Sequence, residues 1–107
     1  MTLQEKNRQD ELTVLLREEL KKKASTLRGY RVILFGSRAS GTARARADFD
    51  IGIIGPKPLD AITYFEIEDL LDAIPTLYSF DLVDLNRVSE KFRREALSNY
   101  RVLYEQV

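Results

Sequence analysis

Asp48 and Asp50 stand two residues apart, at the mouth of the alternating run Phe49-Asp50-Ile51-Gly52-Ile53-Ile54. A period of two puts both side chains on one face of a strand. Adjacent carboxylates repel and desolvate poorly, so a folded chain needs a reason to hold them together, and a divalent cation is the usual one. Asp81 and Asp84 lie inside a later strand-like run, Phe80-Asp81-Leu82-Val83-Asp84-Leu85, where either acid interrupts an apolar face. One carboxylate from that strand would complete an oxygen cage suited to Mg²⁺, and periodicity alone does not choose between the two. Upstream, Gly36-Ser37 follows directly on the apolar run Arg31-Val32-Ile33-Leu34-Phe35. Glycine lets backbone approach a ligand closely, the amides after it can point at a phosphate, and Ser37 adds a hydroxyl donor. Arg38, Arg44 and Arg46 can neutralise phosphate oxygens. Singly these features are ordinary: Asp-x-Asp is common at strand starts, Gly-Ser is usually a turn, and arginines usually decorate a solvated loop. In this order, strand, Gly-Ser turn, basic loop and carboxylate pair fit a Mg²⁺-bound nucleoside triphosphate.

Composition narrows the chemistry from the other side. The 107 residues include neither Cys nor His. That excludes disulfides, thiolate sites, His-ligated zinc, Cys nucleophiles and Ser-His-Asp triads. Any metal must be held by oxygen, which points to Mg²⁺, Mn²⁺ or Ca²⁺. Seventeen Lys and Arg balance seventeen Asp and Glu, and zero net charge argues against a general nucleic-acid coat. The zero hides an asymmetry. Residues 1–47 carry eleven cationic and five acidic side chains, residues 48–107 six and twelve, so a +6 segment meets a −6 segment between Arg46 and Asp48. The stretch from residue 1 to 16 mixes both charge signs where a signal peptide needs an apolar core, and no run of about 18 apolar residues exists to span a membrane, so the expectation is a soluble cytoplasmic chain.

The elements that must position these groups follow from patterning. Leu12, Leu15, Leu16, Leu20, Ala24 and Leu27 recur at three- and four-residue spacing, which predicts an amphipathic helix over 3–27. Lys21-Lys22-Lys23 then reads as a solvated face near its C-terminus. Strands are predicted over 31–35, 49–54 and 80–85, with a short helix opening at Arg38-Ala39-Ser40. Residues 60–74 read as a helix with Ile62, Phe65, Leu70 and Leu71 on its apolar side, stopped by Pro75. Ser89 is a candidate N-cap for a helix over 90–99, and Arg101-Val102-Leu103-Tyr104 reads as a final strand or a last helical turn. The order implies a single α/β (α+β) domain over 1–107, with a small mixed sheet of three to four strands flanked by helices. A chain of this length buries roughly two-thirds of its unfolded surface, enough for one core.

Leu34-Phe35-Gly36-Ser37-Arg38, Asp48-Phe49-Asp50-Ile51 and Phe80-Asp81-Leu82-Val83 together resemble the signature of the polymerase-beta-like nucleotidyltransferases. The resemblance spans the whole chain and is nearest to the small, stand-alone minimal nucleotidyltransferases (MNT). Ala47 departs from the Ser that the family often has before the first acid. The resemblance implies a palm-like fold and residue roles. Asp48, Asp50 and Asp81 would be catalytic, holding two Mg²⁺ ions, with Asp81 in place of Asp84. Gly36, Ser37 and Arg38 would bind the phosphates of ATP. It also implies that the acceptor site comes from elsewhere: a helical HEPN-type partner, modified with AMP on a tyrosine so that the chain acts as antitoxin, or a substrate-binding partner chain, or a second copy of this chain. The alternatives are a two-chain enzyme for a small molecule and a contact-only binding module. An RNA acceptor is disfavoured by the neutral charge, and a drug acceptor by the lack of an acceptor-domain sequence.

Overall fold

Four short runs rich in β-branched and aromatic residues pair into one sheet, and the segments between them supply its helical cover. The computed structural model describes residues 2–44 and 47–106, so Arg46 lies outside the described residues. The order is α1 (Leu3–Lys21), β1 (Arg31–Phe35), α2 (Ser37–Ser40), β2 (Phe49–Ile54), α3 (Ala61–Asp72), β3 (Phe80–Asp84), α4 (Glu90–Ala96) and β4 (Tyr100–Glu105). Across the sheet the strands run β3-β2-β1-β4. β1 is antiparallel to both β2 and β4, whereas β2 and β3 are parallel, with α3 as the crossover that parallel pairing requires.

Alternation along the central strands divides the interior in two. Val32, Leu34, Phe49, Ile51, Ile53 and Leu82 face one side, where Leu12, Leu16 and Leu20 of α1 and Ile67 and Leu71 of α3 close over them. Ile33 and Phe35 face the other, where Leu85 and Ala96 complete a much smaller cluster beneath α4. The site elements emerge on this thinly covered second face. Gly52 keeps β2 flat against that cluster, because a Cβ there would meet Leu85 Cδ1 at 2.7 Å.

Local chemistry starts the helices. Thr2, Asp60 and Ser89 accept from Glu5 N, Thr63 N and Phe92 N at their N-caps. Several boundaries differ from the sequence expectation. Helix α1 ends at Lys21, not at residue 27, because the chain tightens: Lys23 N donates to Leu20 O and Ala24 N to Lys21 O. Leu27 still points inward and is fully buried, so its apolar spacing outlives the helix. Helix α4 stops at Ala96, not at residue 99, and 100–105 is a strand because β1 has a second edge to fill. Within α3 the apolar side is narrower than expected: Ile67 and Leu71 are buried, while Ile62 and Phe65 are 73% and 57% exposed. The lysine run is a solvated face, with Lys21, Lys22 and Lys23 paired to Glu18, Glu19 and Glu66.

Asp84 closes β3. It is buried, and its carboxylate accepts from Leu59 N and from Asn86 N, both at 2.9 Å, with Arg87 Nε at 3.5 Å. It thereby ties the loop before α3 to the end of β3. Removing it leaves two backbone donors without their acceptor at a cost of about 1–3 kcal/mol per buried group. Asp84→Ala should therefore lower the unfolding free energy by about 2–4 kcal/mol, read from the urea midpoint at unchanged m-value.

Candidate active site

β1 delivers its last side chain at Phe35 and the chain turns at once. Gly36 has φ +72° and ψ −152°, a conformation costly for any residue with a Cβ. A Cβ at Gly36 would also fall on the Asp50 carboxylate oxygen Oδ2. The turn and the acid are therefore packed directly against each other, with only glycine leaving room. Ser37 opens α2 half-buried, and its carbonyl accepts from Thr42 N and Ala43 N, folding the basic loop back over the turn.

Antiparallel register places Asp50 opposite Phe35, the residue before Gly36. Parallel register places Asp81 opposite Asp50. Register partners share a sheet face, so Asp50 and Asp81 project together on the α4 side. Asp84 is opposite Ile53, whose face belongs to the α1 and α3 core, and this parity removes it from the site. Asp48 is exposed immediately before β2. Burial raises the Asp50 carboxyl above the usual carboxylate range, and the negative charges of Asp81 and then Asp48 raise it further. Among the described residues no group of three acidic side chains is drawn together tightly enough to form a ready-made metal cage. The donor set nonetheless fits an oxygen-loving divalent cation: the half-buried Asp50 carries an unfavourable negative charge that a cation between these acids would neutralise.

Arg38 departs from the expected phosphate contact. It is 2% exposed and turned into the protein. Its Nη2 and Nε donate to Ala47 O at 2.8 and 3.2 Å, and Nη1 approaches Gln9 Oε1 at 3.4 Å. The guanidinium carbon lies 4.6 Å from the Phe49 ring centroid and 4.9 Å from that of Tyr78. Buried, hydrogen-bonded and stacked on aromatic rings, the charge belongs to the scaffold of the site. Arg44 remains exposed on the loop. Sequence reasoning missed Gln9 and Tyr78. A signal for Gln9 existed: it sits on the same three- and four-residue spacing as Leu12, Leu16 and Leu20, a polar side chain on an apolar stripe. Nothing in the residues around Tyr78 pointed to it.

These features match known proteins. Residues 16–107 fit the family described as polymerase beta, nucleotidyltransferase. The chain is 33% identical over 76 residues to the probable protein adenylyltransferase MntA of Haemophilus influenzae, covering 71% of this chain and 67% of that protein. Its fold superposes on a toxin-antitoxin crystal structure with AMP-PNP, at TM-score 0.62 and 25% identity over 84% of this chain and 73% of that one. A complex of a tri-AMPylated Shewanella oneidensis HEPN toxin with an MNT antitoxin shares the fold, at TM-score 0.60 and 23% identity over 88% and 73% of the two chains. With a mixed sheet that sets a Gly-Ser turn beside strand-borne carboxylates, and a match over 16–107, the chain belongs to the polymerase beta nucleotidyltransferase family.

Proposed function

We propose that this nucleotidyltransferase transfers AMP from ATP to a hydroxyl on a helical HEPN-type partner and serves as the antitoxin of a toxin-antitoxin pair. The observation that carries the reading is the Asp50–Asp81 register pair, with Asp50 packed against the Gly36 turn. It is supported by the relative described as a probable protein adenylyltransferase and by the AMP-PNP toxin-antitoxin structure.

In this reading the backbone at Gly36 and the Ser37 hydroxyl hold the terminal phosphates, which directs the α-phosphorus toward the carboxylates. Asp48, Asp50 and Asp81 would hold Mg²⁺, two ions or their Mn²⁺ equivalents, whose chemistry is to neutralise phosphate charge and acidify the acceptor hydroxyl. Asp81, on the strand farther from the turn, would take the proton of the acceptor hydroxyl. The acceptor oxygen then bonds to the α-phosphorus as the bond to the bridging oxygen breaks, and pyrophosphate leaves over the turn. Catalysis is positioning and charge neutralisation.

Co-expression with the partner and intact-mass analysis provides the test. One AMP increment per modified tyrosine is expected, and transfer by Asp48→Asn/Asp50→Asn should fall by about 10³-fold or more. Transfer that persists in that double variant rejects the acid assignment; full neutralisation of the partner without transfer makes the protein a contact-only antitoxin. Gly36→Ala should cut transfer at least about 10²-fold, since the added methyl displaces Asp50, while costing about 1–2 kcal/mol of stability.

Asp50 also sets a pH dependence. Its folded carboxyl titrates above the unfolded value, so its contribution to stability is fully present below the unfolded pKa and is lost as pH rises through the folded one. In metal-free buffer Asp50→Asn should therefore melt higher than the parent at pH 7, with the advantage shrinking as pH falls toward 4. A parent that melts as high as the variant at pH 7 contradicts the charge crowding.

A further inference from the structure

We propose that Arg38 is a positioning residue that holds Asp48 beside Asp50 against their mutual repulsion, which deepens the functional reading above and rests on it. The peptide that Arg38 grips is the one joining Ala47 to Asp48, and two of its nitrogens donate to that single carbonyl. Fixing the carbonyl fixes the plane of the peptide and hence the direction from which Asp48 leaves it. The guanidinium carbon also lies over the ring of Phe49, the residue between the two acids. The clasp extends outward to two distant segments. Tyr78, three residues before Asp81, packs on the guanidinium and meets Phe49 edge-on, with ring centroids 5.2 Å apart. Gln9 of α1 presents Oε1 to Nη1 and returns a bond from Nε2 to Arg38 O at 3.1 Å. One side chain, two residues from Gly36, is thus bonded or stacked to the segments preceding all three acids.

The physical need for such a clasp is the placement of the acids: Asp81 stands opposite Asp50 in the parallel ladder, and Asp48 is only two residues before Asp50. Asp48 is exposed and outside the ladder, so of the three it is the acid freest to swing away. A planar, permanently charged fork can bond one carbonyl twice while lying close to two neighbouring aromatic rings. A lysine can supply the charge and one bond but no planar fork.

Arg38→Lys in the full-length chain tests the assignment. Amide hydrogen exchange at Ala47, Asp48 and Phe49 should accelerate about 10-fold or more, and the Mg²⁺ concentration that half-saturates ATP-dependent thermal stabilisation should rise about 10- to 100-fold. In the transfer assay kcat should fall with KM for ATP within about 2-fold of the parent, because the phosphate turn is untouched. A rise in KM for ATP at unchanged Mg²⁺ dependence would overturn the proposal in favour of direct phosphate contact. A lower melting temperature with exchange at 47–49 and Mg²⁺ dependence unchanged would overturn it in favour of general scaffolding. Should Arg38→Lys fail to fold, Tyr78→Leu removes one aromatic contact and leaves the Ala47 bonds; it should shift Mg²⁺ half-saturation in the same direction by about 3-fold, and no shift overturns the clasp. The exchange arm needs neither substrate nor metal, so a parent that ignores ATP and Mg²⁺ would sink the functional reading while leaving the clasp separately decided.

Discussion

Like charges must be held within reach of one another before anything positive is bound, and the architecture is arranged around that repulsion. At Asp50 burial raises the carboxyl, and the charges of Asp81 and then Asp48 raise it further. The parallel ladder fixes Asp81 opposite Asp50 through backbone hydrogen bonds that no side-chain rotation can undo. The Gly36 turn occupies the remaining side of Asp50 so closely that a methyl group would not fit. What the backbone does for two acids, the buried guanidinium of Arg38 does for the third from outside the sheet. The deep α1 and α3 core supplies the rigidity that such an arrangement demands, and α4 covers the site face only lightly.

The parts of this plan that depend on local chemistry could be read from the sequence. Glycine at 36, the two-residue spacing of Asp48 and Asp50, and the runs of β-branched residues are each determined by a few neighbouring atoms. What escaped is decided by partners distant in the chain. Whether 101–104 becomes strand or helical turn depends on the free edge of β1, some seventy positions earlier. The choice of Asp81 over Asp84 needs the register of β3 against β2, because alternation says only that the two acids face opposite ways. Apolar spacing beyond Lys21 continues to Leu27 through tight turns, so periodicity overran the helix. Ile62 and Phe65 are apolar yet exposed, since α3 docks through Ile67 and Leu71 instead.

Arg38 shows the same limit at the site itself. In a run of arginines beside a Gly-Ser turn, charge alone argues for a phosphate. Its burial is decided by two aromatic rings and a glutamine from three other segments, none adjacent in sequence. A cation that is stacked and bonded within the protein organises the loop it belongs to, and the loop's exposed Arg44 is left to face solvent.

The sheet order β3-β2-β1-β4 also governs the sequence of events by which such a chain folds. The Gly36 turn and Asp50 come together through the β1–β2 pair, whose strands lie close in the chain. Asp81 joins only after residues 55–79 have looped over the sheet, and β1 gains its second neighbour only when residues 100–105 return to it. Long-range pairings of this kind close late, because the entropy of the intervening loop is lost before the contacts compensate for it. On the ribosome, the Gly36 turn and two of the three acids, Asp48 and Asp50, are therefore the first to form. The set of acids is completed only when β3 docks with Asp81, so a partly made chain carries the turn without its full complement of acids.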